Sequence, residues 1–167
     1  ILVMVTLMLS LVFPVVMVLA MVTDLRTFEI PNRLTLVLVL AYPLAALSAG
    51  FAWQQILWAF ALAVMVLLAG IVMFVLKIMG GGDGKLMAAA ALWTGQELIS
   101  EFLAITALAG GLLALTLLLY RRMPLSPALS ELPTLSQLHE KKQDVPYAIA
   151  IGIAGLAIYP QVPLVNV

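Results

Sequence analysis

The stretch MGGGDGK, residues 79–85, lies between two strongly apolar runs and carries one acid, Asp83. A second acid, Asp24, stands at the end of another apolar run and opens the polar stretch DLRTFEIPN, residues 24–32. A carboxylate within hydrocarbon costs about 2.5–3.5 kcal/mol on insertion scales, so such acids usually face the interior of a helix bundle and serve a function. We therefore predict that the fold brings the two carboxyl groups together at one face of a membrane.

The composition is that of a membrane protein. Of the 167 residues, 65% are hydrophobic and 10% are charged, whereas a soluble domain carries about 25% charged residues. The mean hydropathy is +1.19, and apolar runs of about 20 residues match a hydrocarbon core of roughly 30 Å. We predict an all-α, polytopic membrane protein. Because no polar segment is large enough to fold alone, we expect a single transmembrane domain over residues 1–167.

Charge and cysteine content exclude several function classes. The formal net charge is zero, which argues against nucleic-acid binding. The chain has no cysteine, so disulfides, thiolate catalysis and cysteine-based metal sites are excluded. The one histidine, His139, lies in a polar stretch without a visible orienting partner and is interpreted as a loop residue. We expect neither a metal nor a cofactor.

Hydropathy predicts six transmembrane helices. They cover residues 2–22, 34–51, 57–76, 86–93, 102–119 and 145–164. The fourth follows the glycine-rich stretch and is too short to cross a bilayer unaided, so we expect it to be short or tilted, or to include Glu97. Residues 120–144 form the one long polar connection.

The basic residues predict the orientation in the membrane. All eight lie in or beside the first, third and fifth connections: Arg26, Arg33, Lys77, Lys85, Arg121, Arg122, Lys141 and Lys142. The second and fourth connections hold only the acids Glu97 and Glu101. Since basic residues concentrate on the cytoplasmic side, both termini should face outward, and Asp24 and Asp83 should share the cytoplasmic face. The basic residues near residues 120–144 would bind anionic lipid headgroups.

Two carboxyl groups in one membrane cleft favour aspartic-protease chemistry. Held close together, they cannot both ionise and therefore share a proton. Asp24 lies at the C-terminal end of a predicted helix and Asp83 at the N-terminal entry of the next. The helix dipole therefore favours Asp83 as the ionised partner and Asp24 as the proton carrier. Arg26 and Lys85 stand nearby in the sequence and can reverse that order.

The glycines around Asp83 have two interpretations. Without a Cβ atom, the backbone at Gly80, Gly82 and Gly84 permits the close approach of another chain, such as an extended substrate. The alternative is a flexible turn between helices that happens to contain an acid. The glycine pattern alone does not choose between them.

Three motifs carry a resemblance to a known family. GGGD, residues 80–83, read as G-x-G-D and followed by Gly84 and Lys85, resembles the second catalytic motif of the prepilin peptidases, which are membrane aspartic proteases of type IV and related pilus and secretion systems. Asp24 followed by IPN, residues 30–32, resembles their first motif. VPYA, residues 145–148, resembles the proline-containing segment that opens their last helix.

The resemblance implies a reaction and a set of site residues. The reaction is removal of a short basic leader, typically after glycine, from prepilin or pseudopilin precursors at the cytoplasmic face of the bacterial inner membrane. Asp24 and Asp83 would be catalytic. The residues implied in substrate binding or positioning are Pro31, Asn32, Gly80, Gly82, Gly84, Lys85, Pro146 and Tyr147.

The departures from the family pattern favour a member that cleaves the leader and does not methylate the new N-terminus. Bifunctional members carry an extra cytoplasmic region, often with cysteine pairs, that is associated with N-methylation, and this sequence has neither. It resembles the short, peptidase-only members, including those of Flp pili. The competing function is a small proton- or ion-coupled transporter subunit, which would also use membrane acids and broken helices. Both acids are predicted at one face and no inverted repeat is visible, which favours the protease.

Overall fold

A computed structural model describes residues 2–122 and 145–165. The described part is helical and contains no strand, so the prediction of an all-α fold is confirmed. Its helices are α1 (Leu2–Ser10), α2 (Val12–Thr27), α3 (Asn32–Ser48), α4 (Trp53–Val75), α5 (Gly81–Arg122) and α6 (Ala148–Ile158), and α6 continues into a 3₁₀ turn, Tyr159–Gln161. The predictions for His139, Lys141 and Lys142 lie outside the described residues.

Within the described residues, three segments are long and apolar enough to cross a membrane. They are Leu2–Thr27, Trp53–Val75 and Gly81–Arg122. Two further apolar helical segments, Asn32–Ser48 and Ala148–Gln161, are shorter. Length and composition thus fit a membrane protein, whereas the predicted set of six spans stays a prediction.

Helix α5 is interrupted at Gly95, and we call residues 81–94 its first arm and residues 96–122 its second arm. The first arm differs from the prediction at both ends. It begins at Gly81 instead of residue 86, so Asp83 lies in its first turn. Glycine is a poor helix former in isolation, and packing against α4 overrides that preference here. The connection predicted between residues 93 and 102 is shorter than expected, because the interruption is confined to Gly95 (φ 63°, ψ −173°) and Glu97 lies within α5, as one of the predicted alternatives has it. Glycine adopts this positive φ without a steric cost.

Helix α5 is central to the packing. Its neighbours are α3, α4 and α6, while α2 packs against α6 and α1 against α3. Trp93 on α5 is buried and its indole N–H donates to the carbonyl of Leu38, at 3.2 Å. The rings of Phe13 and Tyr42 lie against Trp93 with centroid distances of 5.6 and 5.8 Å. These contacts join α2, α3 and α5 in one core.

Close contact between α4 and α5 depends on two glycines. A Cβ atom added to Gly70 would lie 2.9 Å from the Cα atom of Gly84, so the two backbones cross without room for a side chain. Gly84 follows Asp83 directly. The crossing therefore fixes the position of the first turn of α5, which carries that acid.

Candidate active site

Asp24 is held by the end of its own helix and by the start of another. Helix α2 ends one turn after Asp24, where Phe28 takes a left-handed conformation (φ 54°) and donates its N–H to the Asp24 carbonyl at 2.8 Å. The side chain is buried, with 5% of its surface exposed. Its Oδ2 atom accepts the backbone N–H of Ala148 at 3.0 Å. Because Ala148 is the first residue of α6, the positive end of that helix faces the carboxyl group.

Asp83 is held by the glycine-rich turn that precedes it. Its side chain is 8% exposed, and the Gly80 N–H donates to its carboxyl group. A Cβ atom at Gly80 would lie 2.8 Å from Oδ2 of Asp83. A glycine at position 80 is therefore required for this carboxyl group to keep its place.

The two carboxyl groups lie at the meeting point of two cavities, of about 370 and 290 Å³. Asp24, Asp83, Phe28 and Gly80 line both cavities. The acids are close enough to interact electrostatically. The arrangement places a buried acid pair between two spaces that are open to the surface, so a chain lying across both would pass the pair.

A comparison with protein-family models identifies the group to which this chain is related. Residues 11–115, more than half of the chain, match the model described as the type IV leader peptidase family. The chain belongs to the type IV leader peptidase family. Membership supports a protease function, and the matched region contains both acids but ends before α6. No curated protein and no solved structure matches the chain.

Five of the residues predicted to position the substrate in this member of the family line the two cavities. Tyr147 lines the larger, Asn32, Gly82 and Lys85 line the smaller, and Gly80 lines both. Lys85 Nζ donates to Asn32 Oδ1 at 3.2 Å, which links the two motifs. The ring of Tyr147 packs on Gly110, where an added Cβ would lie 2.6 Å from Cε1. Their roles toward a substrate stay predictions.

The other three predicted residues do not line either cavity. Pro31 precedes α3 and its φ of −60° suits the start of a helix. Gly84 is buried against Gly70. Pro146 is buried, and its carbonyl accepts the N–H of Ile149 at 3.1 Å. Gly84 follows Asp83 directly and Pro146 lies two residues before Ala148, which contacts Asp24. None of the three lines the cleft.

Several residues of the site were not singled out from the sequence as site residues. The larger cavity is also lined by Phe74, Lys77, Ile78, Met79 and Val145, of which Met79 and Val145 lie in the quoted motif stretches and the other three lie outside them. A phenylalanine in the sequence does not predict the left-handed conformation that Phe28 adopts. The Ala148 donor is a backbone N–H, so no side-chain type in the sequence marks it. Gly70 is the exception, because a single glycine within the apolar run of α4 is a signal for close helix packing.

Among residues 2–122 and 145–165, no group of three or more His, Cys, Asp or Glu side chains is arranged to hold a metal ion. The expectation that the reaction uses no metal or cofactor stays a prediction.

Proposed function

We propose that this protein is a membrane-embedded aspartic endopeptidase that removes the basic leader peptide from prepilin or pseudopilin precursors. The observation that carries the proposal is the pair of buried acids, Asp24 and Asp83, where two cavities meet. Family membership supports the protease class. The G-x-G-D and I-P-N motifs support the aspartic type and the substrate.

The chemistry requires one carboxylate and one carboxylic acid. The carboxylate removes a proton from a water molecule, and the resulting hydroxide attacks the carbonyl carbon of the scissile peptide bond. The carboxylic acid donates its proton to the carbonyl oxygen. When the tetrahedral intermediate collapses, the first carboxyl group gives its proton to the leaving amine and becomes a carboxylate again. The second takes up the hydroxyl proton that is released as the new carboxyl product forms, so the pair returns to one carboxylate and one carboxylic acid.

The backbone around the pair orients both acids for this exchange. The Ala148 N–H fixes one oxygen of Asp24, and the Gly80 N–H fixes the carboxyl group of Asp83. Preorganised donors of this kind need no rearrangement during the reaction.

The membrane arrangement belongs to the same proposal. Six segments would cross the inner membrane, with α1 and α2 as one span and the two arms of α5, separated at Gly95, as two. Both termini would face outward, and the cleft would open at the cytoplasmic face. Support comes from the basic residues Arg26, Lys77 and Lys85, all near the acids in sequence, and from Glu97 beyond the first arm of α5.

The proposal is tested by co-expressing the protein with a prepilin that carries its leader and following the shortening of the precursor on a gel. Wild type should cleave the precursor, and Asp24→Asn and Asp83→Asn should each abolish cleavage at unchanged protein level. Glu97→Gln, which makes the same chemical change away from the two acids, is the control and should cleave normally. Complete processing by either aspartate variant would exclude the acid-pair mechanism.

A further inference from the structure

A further cavity, of about 500 Å³, forms an apolar groove between α3 and α4. Each of three helices contributes four residues at the spacing i, i+3, i+4, i+7, which is one helix face over two turns. They are Asn32, Thr35, Leu36 and Val39 of α3, Phe60, Ala63, Val64 and Leu67 of α4, and Lys85, Ala88, Ala89 and Leu92 of α5. The groove therefore runs along the helices for about 10 Å.

The groove exists because α3 and α4 each pack against α5 and make few close contacts with each other. Its floor is formed by Ala88 and Ala89, which are buried at 6% and 2% exposure. Its walls include Leu36 and Val64, which are 55% and 53% exposed. An apolar floor between exposed apolar walls leaves a channel that opens sideways, toward the hydrocarbon of a membrane.

The groove is continuous with the candidate active site. Asn32 and Lys85 line both the groove and the smaller cavity that contains the acid pair. The polar lining residues, Asn32, Thr35 and Lys85, lie within the first five residues of α3 and α5, and the remaining lining is apolar. An occupant must therefore be apolar along its length and polar only where it reaches the acids.

We propose that this groove binds the apolar helix that directly follows the scissile bond of the substrate. A peptide in an apolar, membrane-exposed groove must satisfy its own backbone hydrogen bonds and is therefore helical. The alanine floor lets such a helix approach closely. A helix N-terminus favours nearby negative charge, so the end that faces Asp24 and Asp83 is the N-terminal one.

A lipid acyl chain fits the apolar lining less well as the resident occupant. Its phosphate would lie at the level of Lys85, in the cavity that also contains Asp24 and Asp83. The negative charge of the acid pair repels a phosphate there.

With a substrate helix in the groove, the protein would select substrates by their membrane segment, and docking of that segment would determine which peptide bond reaches the acids. This inference rests on the proposed peptidase function.

The first test compares two substrates with purified full-length protein in detergent. One is a leader-bearing precursor with its apolar segment, and the other is a soluble peptide that spans the scissile bond and lacks the segment. Ala88→Phe fills the floor of the groove. Ala61→Phe adds the same bulk on the exposed side of α4, outside the groove, and is the control.

Ala88→Phe should lower kcat/KM for the precursor by about tenfold or more, mainly through KM, because it displaces at least one buried apolar side chain of the substrate. Cleavage of the short peptide should stay within twofold of wild type, and Ala61→Phe should leave both substrates unaffected. An equal loss on both substrates, or no loss on the precursor, would overturn the groove assignment. If wild type cleaved neither substrate, the proposed function itself would be excluded.

A second test does not depend on activity. In the Asp83→Asn background, a photo-crosslinking phenylalanine analogue replaces either Val64, in the groove wall, or Leu68, which lies one turn further along α4 outside the groove and is 57% exposed. Illumination with the precursor in lipid vesicles should join Val64 to the apolar segment and leave Leu68 joined to lipid. Lipid adducts from both positions would overturn the proposal.

Discussion

The backbone N–H of Ala148 donates a 3.0 Å hydrogen bond to Oδ2 of Asp24, although the two residues are 124 positions apart in the chain. The contact brings the N-terminus of α6 to an acid at the C-terminal end of α2. The dipole of each acid's own helix favours Asp83 as the charged partner. The Ala148 donor adds a stabilising contact for a charged Asp24, so both acids lie at a helix N-terminus in the folded protein.

The position of α6 should therefore control cleavage. Gly152 brings α6 against α2, and a Cβ atom there would overlap the Met21 side chain and lie 3.4 Å from the carbonyl oxygen of Met17. Gly152→Leu should separate the helices, lengthen the Ala148–Asp24 hydrogen bond and reduce precursor cleavage by about tenfold or more, since a bond to a charged group contributes about 1.5–3 kcal/mol. Gly111→Leu, at a position with open space, is the matched control. A wild-type rate for Gly152→Leu would contradict this dependence.

Gly80 should be irreplaceable for a steric reason. An alanine Cβ would stand 2.8 Å from Oδ2 of Asp83 and would displace the carboxyl group. Since a misplacement of about 1 Å can cost 100-fold in rate, Gly80→Ala should reduce cleavage by about that factor at unchanged protein level. Gly81→Ala, whose Cβ would make an ordinary 3.5 Å contact with Phe74, should retain most of the activity. Equal rates for the two variants would refute the steric argument.

The contact between Gly70 and Gly84 should determine stability. A side chain at Gly70 must push α4 away from α5, because the nearest atom is backbone. Overpacking of this kind costs about 1–3 kcal/mol, so Gly70→Ala should lower the Tm in detergent. Gly111→Ala changes a helical glycine in open space. It should raise the free energy of unfolding by up to about 1 kcal/mol, and the Tm should therefore stay the same or rise. A Tm for Gly70→Ala at or above that of wild type would show that the helices separate without cost.

Hydropathy predicted an all-helical fold, and hydropathy with charge predicted that Asp24 and Asp83 lie together, as they do in the cavities. Both signals are local and repeat along the chain, so they can be followed without knowledge of the packing. The start of α5 could not be obtained in this way. Glycine propensity favours a loop at residues 81–84, whereas in the fold the stretch is helical and Gly84 packs against Gly70. The same holds for the Ala148 donor, which depends on tertiary packing and on no side-chain type.

The cytoplasmic location of the cleft can be measured directly, because the chain has no cysteine and single cysteines can be introduced without background. Glu29 is exposed beside the acids, and Glu97 is exposed beyond the first arm of α5, about 20 Å further along. In intact spheroplasts, a membrane-impermeant maleimide should label Glu97→Cys. It should label Glu29→Cys only after permeabilisation, since the basic residues near the acids hold that end inside. The reverse pattern would place the acids outward and would contradict cleavage at the cytoplasmic face.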